Sequence, residues 1–195
     1  MNVNLPKLWA GQRGETSPIR LTGVRGWNDP AGQNLFARYD DIIIVEIDQK
    51  PAGLPWPAST DPSWALVVHP INASGAAQLR PGNHLFERHL MHGKYLCLGQ
   101  AEDVHVNRLD ANGNVLEVEC GEFGICIHSG GDGMDTGRFS AGCQIIQNPD
   151  GYFGEPTWEK FFGPIDGAMK AHGVDTVPYI LTTKSALEQG GMIAE

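Results

Sequence analysis

Hydrophobic positions along this chain fall mostly in short runs and alternations, the pattern of strands. The clearest run is Asp41–Ile47, whose continuous apolar centre predicts a strand buried on both faces. Residues 64–69 and 95–98 predict two more strands. Further on, Val104 and Val106 alternate with polar neighbours, Asp110-Ala111-Asn112-Gly113 offers a turn, and Leu116, Val118 and Cys120 alternate again. Asn112-Gly113 provides the positive-φ residues that tight hairpins need, so this stretch predicts a β-hairpin. Residues 123–128 continue as a strand ending at His128, residues 129–137 form a glycine-rich loop, and residues 143–147 return as a short strand.

After residue 150 the period changes. Trp158, Phe161, Phe162, Ile165, Met169 and His172 recur at helical spacing and predict one principal helix near the C-terminus. Pro156 suits an early helical position, whereas Pro164, following Gly163, removes a backbone donor and predicts a kink or interruption. Residues 176–182 predict a last strand. The segment up to Gly32 reads as extended pieces and turns around Pro18, and residues 51–57 as a proline-rich loop. The expected fold is mainly β (α+β): a mixed sheet or sandwich built from residues 41–147, with the helix packed on it, in one domain spanning residues 1–195.

Composition agrees. Of 195 residues 41% are apolar, and 25 Gly with 13 Pro make up nearly a fifth of the chain, as a turn-rich β fold requires. Lys and Arg number 14 against 23 Asp and Glu, a net charge of -9. With no basic cluster there is no electrostatic footprint for a phosphate backbone, so nucleic acid is not an expected partner. No uncharged apolar run approaches the roughly 18 residues of a membrane span. Residues 1–13 lack a basic segment followed by an apolar stretch and a cleavage site, so the chain reads as made in the cytoplasm without a Sec signal.

Four cysteines without a Cys-x-x-Cys pair read as reduced thiols. Cys97, Cys120 and Cys126 sit in apolar segments and are expected in the core. Cys143 differs, because Ser140-Ala141-Gly142 precedes it. Small residues there let the backbone approach a substrate carbonyl, and adjacent N–H groups can point at an oxygen that becomes charged. His128 is the candidate base for its proton, making a Cys–His dyad with an expected low thiol pKa.

Other polar residues carry less. Arg138 is a candidate clamp for a substrate carboxylate, or a solvated loop residue. His84, His89 and His92 match no zinc-binding spacing, so neither metal nor cofactor is expected, and His92 reads as a wall of the cleft. Asp132 and Asp135, among glycines, read as turn formers.

The segment from His128 to Gln144 resembles the L,D-transpeptidase (YkuD-type) catalytic domain family, whose signature is a strand-terminal His, a variable loop and Ser/Thr-His-Gly-Cys. His128, Ser140, Gly142 and Cys143 match, and Ser140 to Gln144 is similar to the family's Ser-Ala-Gly-Cys-Gln variant group. The likeness is strongest over residues 125–147 and weaker over 41–100. Ala141 stands where the common pattern has a second His, and Ile145 where Arg or Asn is usual. The resemblance implies that Cys143 attacks an L,D-peptide bond of a peptidoglycan stem after His128 takes its proton. It also implies that the Ser129 carbonyl orients the imidazole and that N–H groups of Gly142 and Cys143 form the oxyanion hole. Ser140 and Gln144, with Arg138 and His92 from the reading above, are the candidate substrate contacts. The thioester would pass to an amine or to water, giving transpeptidase or carboxypeptidase/hydrolase activity. The other reading is a non-catalytic member that binds peptidoglycan or a protein. The expected site of action is the cell wall, reached after phage lysis or by delivery outside the Sec route.

Overall fold

The computed structural model describes residues 17–28, 35–150 and 155–189. Secondary structure is mainly β with a few helices. The strands are β1 (Ile19–Arg25), β2 (Asp41–Ile47), β3 (Lys50–Pro51), β4 (Trp56–Ser59), β5 (Ala76–Leu79), β6 (Gly82–Met91), β7 (Tyr95–Gln100), β8 (Val104–Leu109), β9 (Val115–Gly121), β10 (Cys126–Ser129), β11 (Gln144–Ile146) and β12 (Thr176–Thr183). The helices are α1 (Trp64–Val68), α2 (Glu155–His172) and α3 (Lys184–Glu188). None is long and apolar enough to cross a membrane. The leader-free reading of residues 1–13 lies outside the described residues.

The larger sheet runs β1-β12-β6-β7-β10-β11-β4-β2-β3, and β1 also pairs with β2. That extra pairing closes the sheet into a barrel-like ring, with β3 a short arm on β2. A second sheet, β5-β8-β9, lies beside it. Alternation along β2 sets two layers: Ile43 and Val45 join the main core, while Ile42 and Ile44 pack with Val24, Trp27 and Leu187. Its unbroken apolar run is thus needed on both faces. Helix α2 places Phe161, Phe162, Ile165, Ala168 and Met169 in the main core against Ile19, Leu21, Ile43 and Tyr179.

Four expectations are corrected. Residues 64–69 form helix α1 rather than a strand. A five-residue apolar run between prolines carries no period to choose between the two states, and Leu66 and Val67 bond back to the Ser63 carbonyl. The Pro164 break does not interrupt α2, because Gly163 and Pro164 lie on its exposed side, where water can satisfy the freed carbonyl. The segment around Pro18 holds a full strand, β1, whose Arg20, Thr22 and Arg25 hide its period. Cys120 is exposed, because β9 is the edge of the small sheet and leaves Leu116 and Val118 open as well. Cys97 and Cys126 are buried.

Candidate active site

Strands β10 and β11 run parallel, with Ile127 beside Gln144, His128 beside Ile145 and Ser129 beside Ile146. Side chains alternate across them. Ile127 and Ile146 enter the main core. Cys126 points the other way, into a cluster with Met91, Cys97, Tyr95, Cys143 and Trp158. His128, two residues along from Cys126, shares that face.

The His128 imidazole is buried, and its Nδ1 lies 2.8 Å from the Ser129 carbonyl oxygen. A carbonyl only accepts, so Nδ1 carries the hydrogen and Nε2 is left bare, the tautomer a general base requires. The Tyr95 hydroxyl lies 3.5 Å from the same Nδ1 and donates to Met91 Sδ. Ser129 is itself held, its Oγ accepting from Asn148 Nδ2 at 2.8 Å.

The turn carrying Cys143 is tied from three directions. Ser140 Oγ donates to the Cys143 carbonyl at 2.7 Å and accepts from the Gly142 amide at 3.1 Å. The Ser63 amide donates to the Ser140 carbonyl, and the Ser140 amide donates to Ser63 Oγ. From below, Gln144 Nε2 donates to the Gly142 carbonyl, while Gln144 Oε1 accepts from the Tyr179 hydroxyl. Gly142 has φ +143°, and a Cβ there would come within 2.6 Å of the Ala77 carbonyl oxygen, so the turn admits glycine alone.

These bonds revise several assignments. Ser140 and Gln144 are fully buried, do not line the cavity described below and spend their polar atoms on the turn and on Tyr179. The Gly142 amide is committed to Ser140 and so is not open for the oxyanion role that the resemblance implies. Arg138 is exposed with no ion pair among the described residues. His92 is exposed at φ 50° in the β6–β7 turn; that hairpin reaches the dyad through Tyr95 and Met91. His84 and His89 lie five residues apart on β6 and so face opposite sides. No group of three metal-ligating side chains occurs among the described residues. Asp135 accepts from the Gly137 amide, as a turn former does.

Electrostatics overturn the expectation of a low thiol pKa. The hydrogen bond with Cys126 and burial push the Cys143 thiol up to about 12, while His128 pulls in the opposite direction. For Cys126 the bond with Cys143 works downward, but the Cys97 thiol and burial outweigh it and raise that thiol to about 12 as well. The Cys143 thiol is therefore protonated at rest, and His128 is the group that works to lower its pKa.

Cys143, half-buried, lines a cavity of about 380 Å³ between the two sheets. Its walls include Leu66, Ile71 and Phe123, with Glu122 at the exposed edge. Arg108 lies on the wall, yet its charge is met by Glu119 at 2.8 Å and its guanidinium stacks on Phe123. His128 does not line the cavity.

A buried ionic cluster supports the loop leading to Ser63. Arg25 pairs with Asp61 at 3.2 Å and donates to Thr60, while Asp41 accepts from the Gly26 amide and from the amide and hydroxyl of Thr60. Burial, with Asp61 and Asp40 alongside, pushes the Asp41 carboxyl up to about 8. Ser63, Tyr95, Asn148 and Tyr179 are the site-forming residues absent from the sequence reading. Each is joined to the site across the fold, and no local motif marks it. No family model, curated protein or solved structure matches this chain.

Proposed function

We propose that this chain is a cysteine acyltransferase of the L,D-transpeptidase type, acting on L,D-peptide bonds of peptidoglycan stem peptides. One observation carries the reading: Cys143 lines a cavity and interacts with an imidazole that is itself held through its Nδ1.

On this reading His128 Nε2 takes the Cys143 proton as the sulfur attacks the carbonyl carbon of the bond. Because the resting thiol is protonated, transfer and attack proceed together. The tetrahedral oxygen receives the Cys143 amide hydrogen bond, and the imidazolium, stabilised by the Ser129 carbonyl, returns its proton to the departing amine. A thioester remains. An amine of a second stem, or water, gives its proton to His128 and attacks the thioester, releasing the thiol. Its site of action would be the cell wall, reached after phage lysis or by delivery outside the Sec route.

The second reading, a non-catalytic member that binds peptidoglycan or a protein, draws on the raised Cys143 pKa. Incubation with purified muropeptides, followed by mass analysis of the products, separates the two. Cross-linked or shortened stems that disappear with Cys143→Ala support the enzyme. Binding without any product would leave only the second reading.

A further inference from the structure

We propose that Cys143 is redox-gated: on oxidation it forms a reversible disulfide with Cys126, its neighbour on the adjacent strand. The parallel register of β10 and β11 begins at Ile127 beside Gln144, so one step earlier brings Cys126 beside Cys143. Neighbouring strands lie about 4.8 Å apart, and in-register side chains share a face. Disulfides span Cα separations of about 4.4 to 6.8 Å, so this pair can close without moving a strand. The sulfurs are drawn to one spot: the Cys126 amide donates to Cys143 Sγ at 3.4 Å, and both thiols approach the Gly124 carbonyl, at 3.5 and 3.9 Å.

Access sets the order of events. Cys143 is half-buried and lines the cavity, whereas Cys126 is only 4% exposed. A small oxidant such as hydrogen peroxide therefore meets Cys143 first. Peroxide oxidises the Cys143 sulfur to a sulfenic acid and releases one water. The Cys126 sulfur then attacks that sulfur, the S–O bond breaks, and the departing hydroxide takes the Cys126 proton to leave as a second water. Two thiols supply the two electrons that reduce one peroxide. The disulfide removes the nucleophile while it lasts and keeps the Cys143 sulfur from the irreversible sulfinic and sulfonic stages. Oxidation by this route draws on the thiolate, so it accelerates as pH rises. Cys97, buried on β7 in the same cluster, is the competing partner. Cys120 is exposed on β9, outside that cluster.

The test uses the full chain carrying Cys120→Ser, which removes the exposed thiol and its intermolecular disulfides. Treatment with hydrogen peroxide at mildly alkaline pH should lower the intact mass by two hydrogens. After unfolding in denaturant, two of the three remaining thiols should be unreactive to iodoacetamide, against none in the untreated chain. Digestion should yield a linked peptide containing Cys126 and Cys143, and dithiothreitol should restore every thiol. With Cys126→Ala added, Cys143 should instead pass to the sulfinic or sulfonic mass, unrecovered by dithiothreitol. A link running to Cys97, sulfinic Cys143 in the presence of Cys126, or thiols unchanged by peroxide overturns the proposal. Every readout is a mass, so its failure stays separate from any result with muropeptides.

Discussion

Ser63 and Ser140 hold one another across 77 residues of sequence: the Ser63 amide donates to the Ser140 carbonyl at 2.8 Å, and the Ser140 amide donates to Ser63 Oγ at 3.1 Å. Ser63 stands at the start of α1 without capping its own helix through its hydroxyl, because that oxygen also donates to the Thr136 carbonyl. The start of a short helix thus becomes the clamp on the turn that carries the thiol.

Ser63→Ala should therefore cost more than its exposed counterpart in a helix cap. It strips a partner from the buried Ser140 amide and the Thr136 carbonyl, and leaving such groups unsatisfied costs about 1–3 kcal/mol. Chemical denaturation should show that loss. If the clamp also positions Cys143, product formation from muropeptides should fall in kcat with KM little changed. An unaltered midpoint would mean that water replaces the hydroxyl.

The thiol offers a second test, with the opposite sign from that suggested by the motif alone. A thiol raised to about 12 should alkylate slowly near neutrality, and its rate with iodoacetamide should rise about tenfold per pH unit well beyond pH 8.5, where an ordinary cysteine levels off. Cys126→Ala removes the largest cause of the raised value and should speed alkylation of Cys143 at fixed pH. His128→Ala should slow it. Mapping the labelled peptide separates Cys143 from the exposed Cys120.

Stability should depend on pH through Asp41. Its carboxyl sits at about 8 in the folded chain and near 4 when unfolded. Between these values the folded state retains a proton that the unfolded state has lost. Stability is therefore full below about pH 4, declines as pH rises and levels off above about pH 8, with a slope of up to about 1.4 kcal/mol per pH unit. Urea midpoints measured across that range should fall, and Asp41→Asn should flatten the decline. A midpoint that rises with pH would show that Asp41 is ionised beside Arg25.

What the sequence revealed follows from how local each signal is. The β2 run, the Asn112-Gly113 hairpin and the α2 stripe each carry their own period, and all appear where expected. Strand β6 has no such period, since only its first half alternates with buried positions and residues 87–90 are exposed on both faces. It was therefore legible only as a group of histidines. At the site, His128 and Cys143 stand out because their chemistry is written in adjoining residues. The direction of Gln144 and Ser140 was not legible, because a polar side chain beside a nucleophile looks the same whether it meets substrate or the underside of its own turn. The Cys143 pKa was hidden for a related reason: Cys126 is 17 residues away in sequence and beside it in space.

Gly23 and Tyr179 give the last prediction, because one exists for the other. A Cβ at Gly23 would lie 2.0 Å from the Tyr179 hydroxyl oxygen and 2.8 Å from the ring carbon that bears it. Glycine leaves room for that hydroxyl to reach Gln144, which in turn holds the Gly142 carbonyl beneath Cys143. Gly23→Ala should drive the Tyr179 ring away, break its bond to Gln144 and destabilise the chain by more than the 1–3 kcal/mol typical of core overpacking (~3 kcal/mol or above). Tyr179→Phe alone removes the hydroxyl and leaves Gln144 Oε1 unpaired in the core, at a cost of about 1–3 kcal/mol. In the Tyr179→Phe background the most severe clash is gone, although the ring carbon still crowds the site. Gly23→Ala should then cost less than in the wild type, giving a coupling energy of about 0.5–3 kcal/mol in a double-mutant cycle. Additive effects of the two substitutions would mean that the β1–β12 pair relaxes around the methyl group, and the Gly23–Tyr179 contact would then have no part in holding the nucleophile turn.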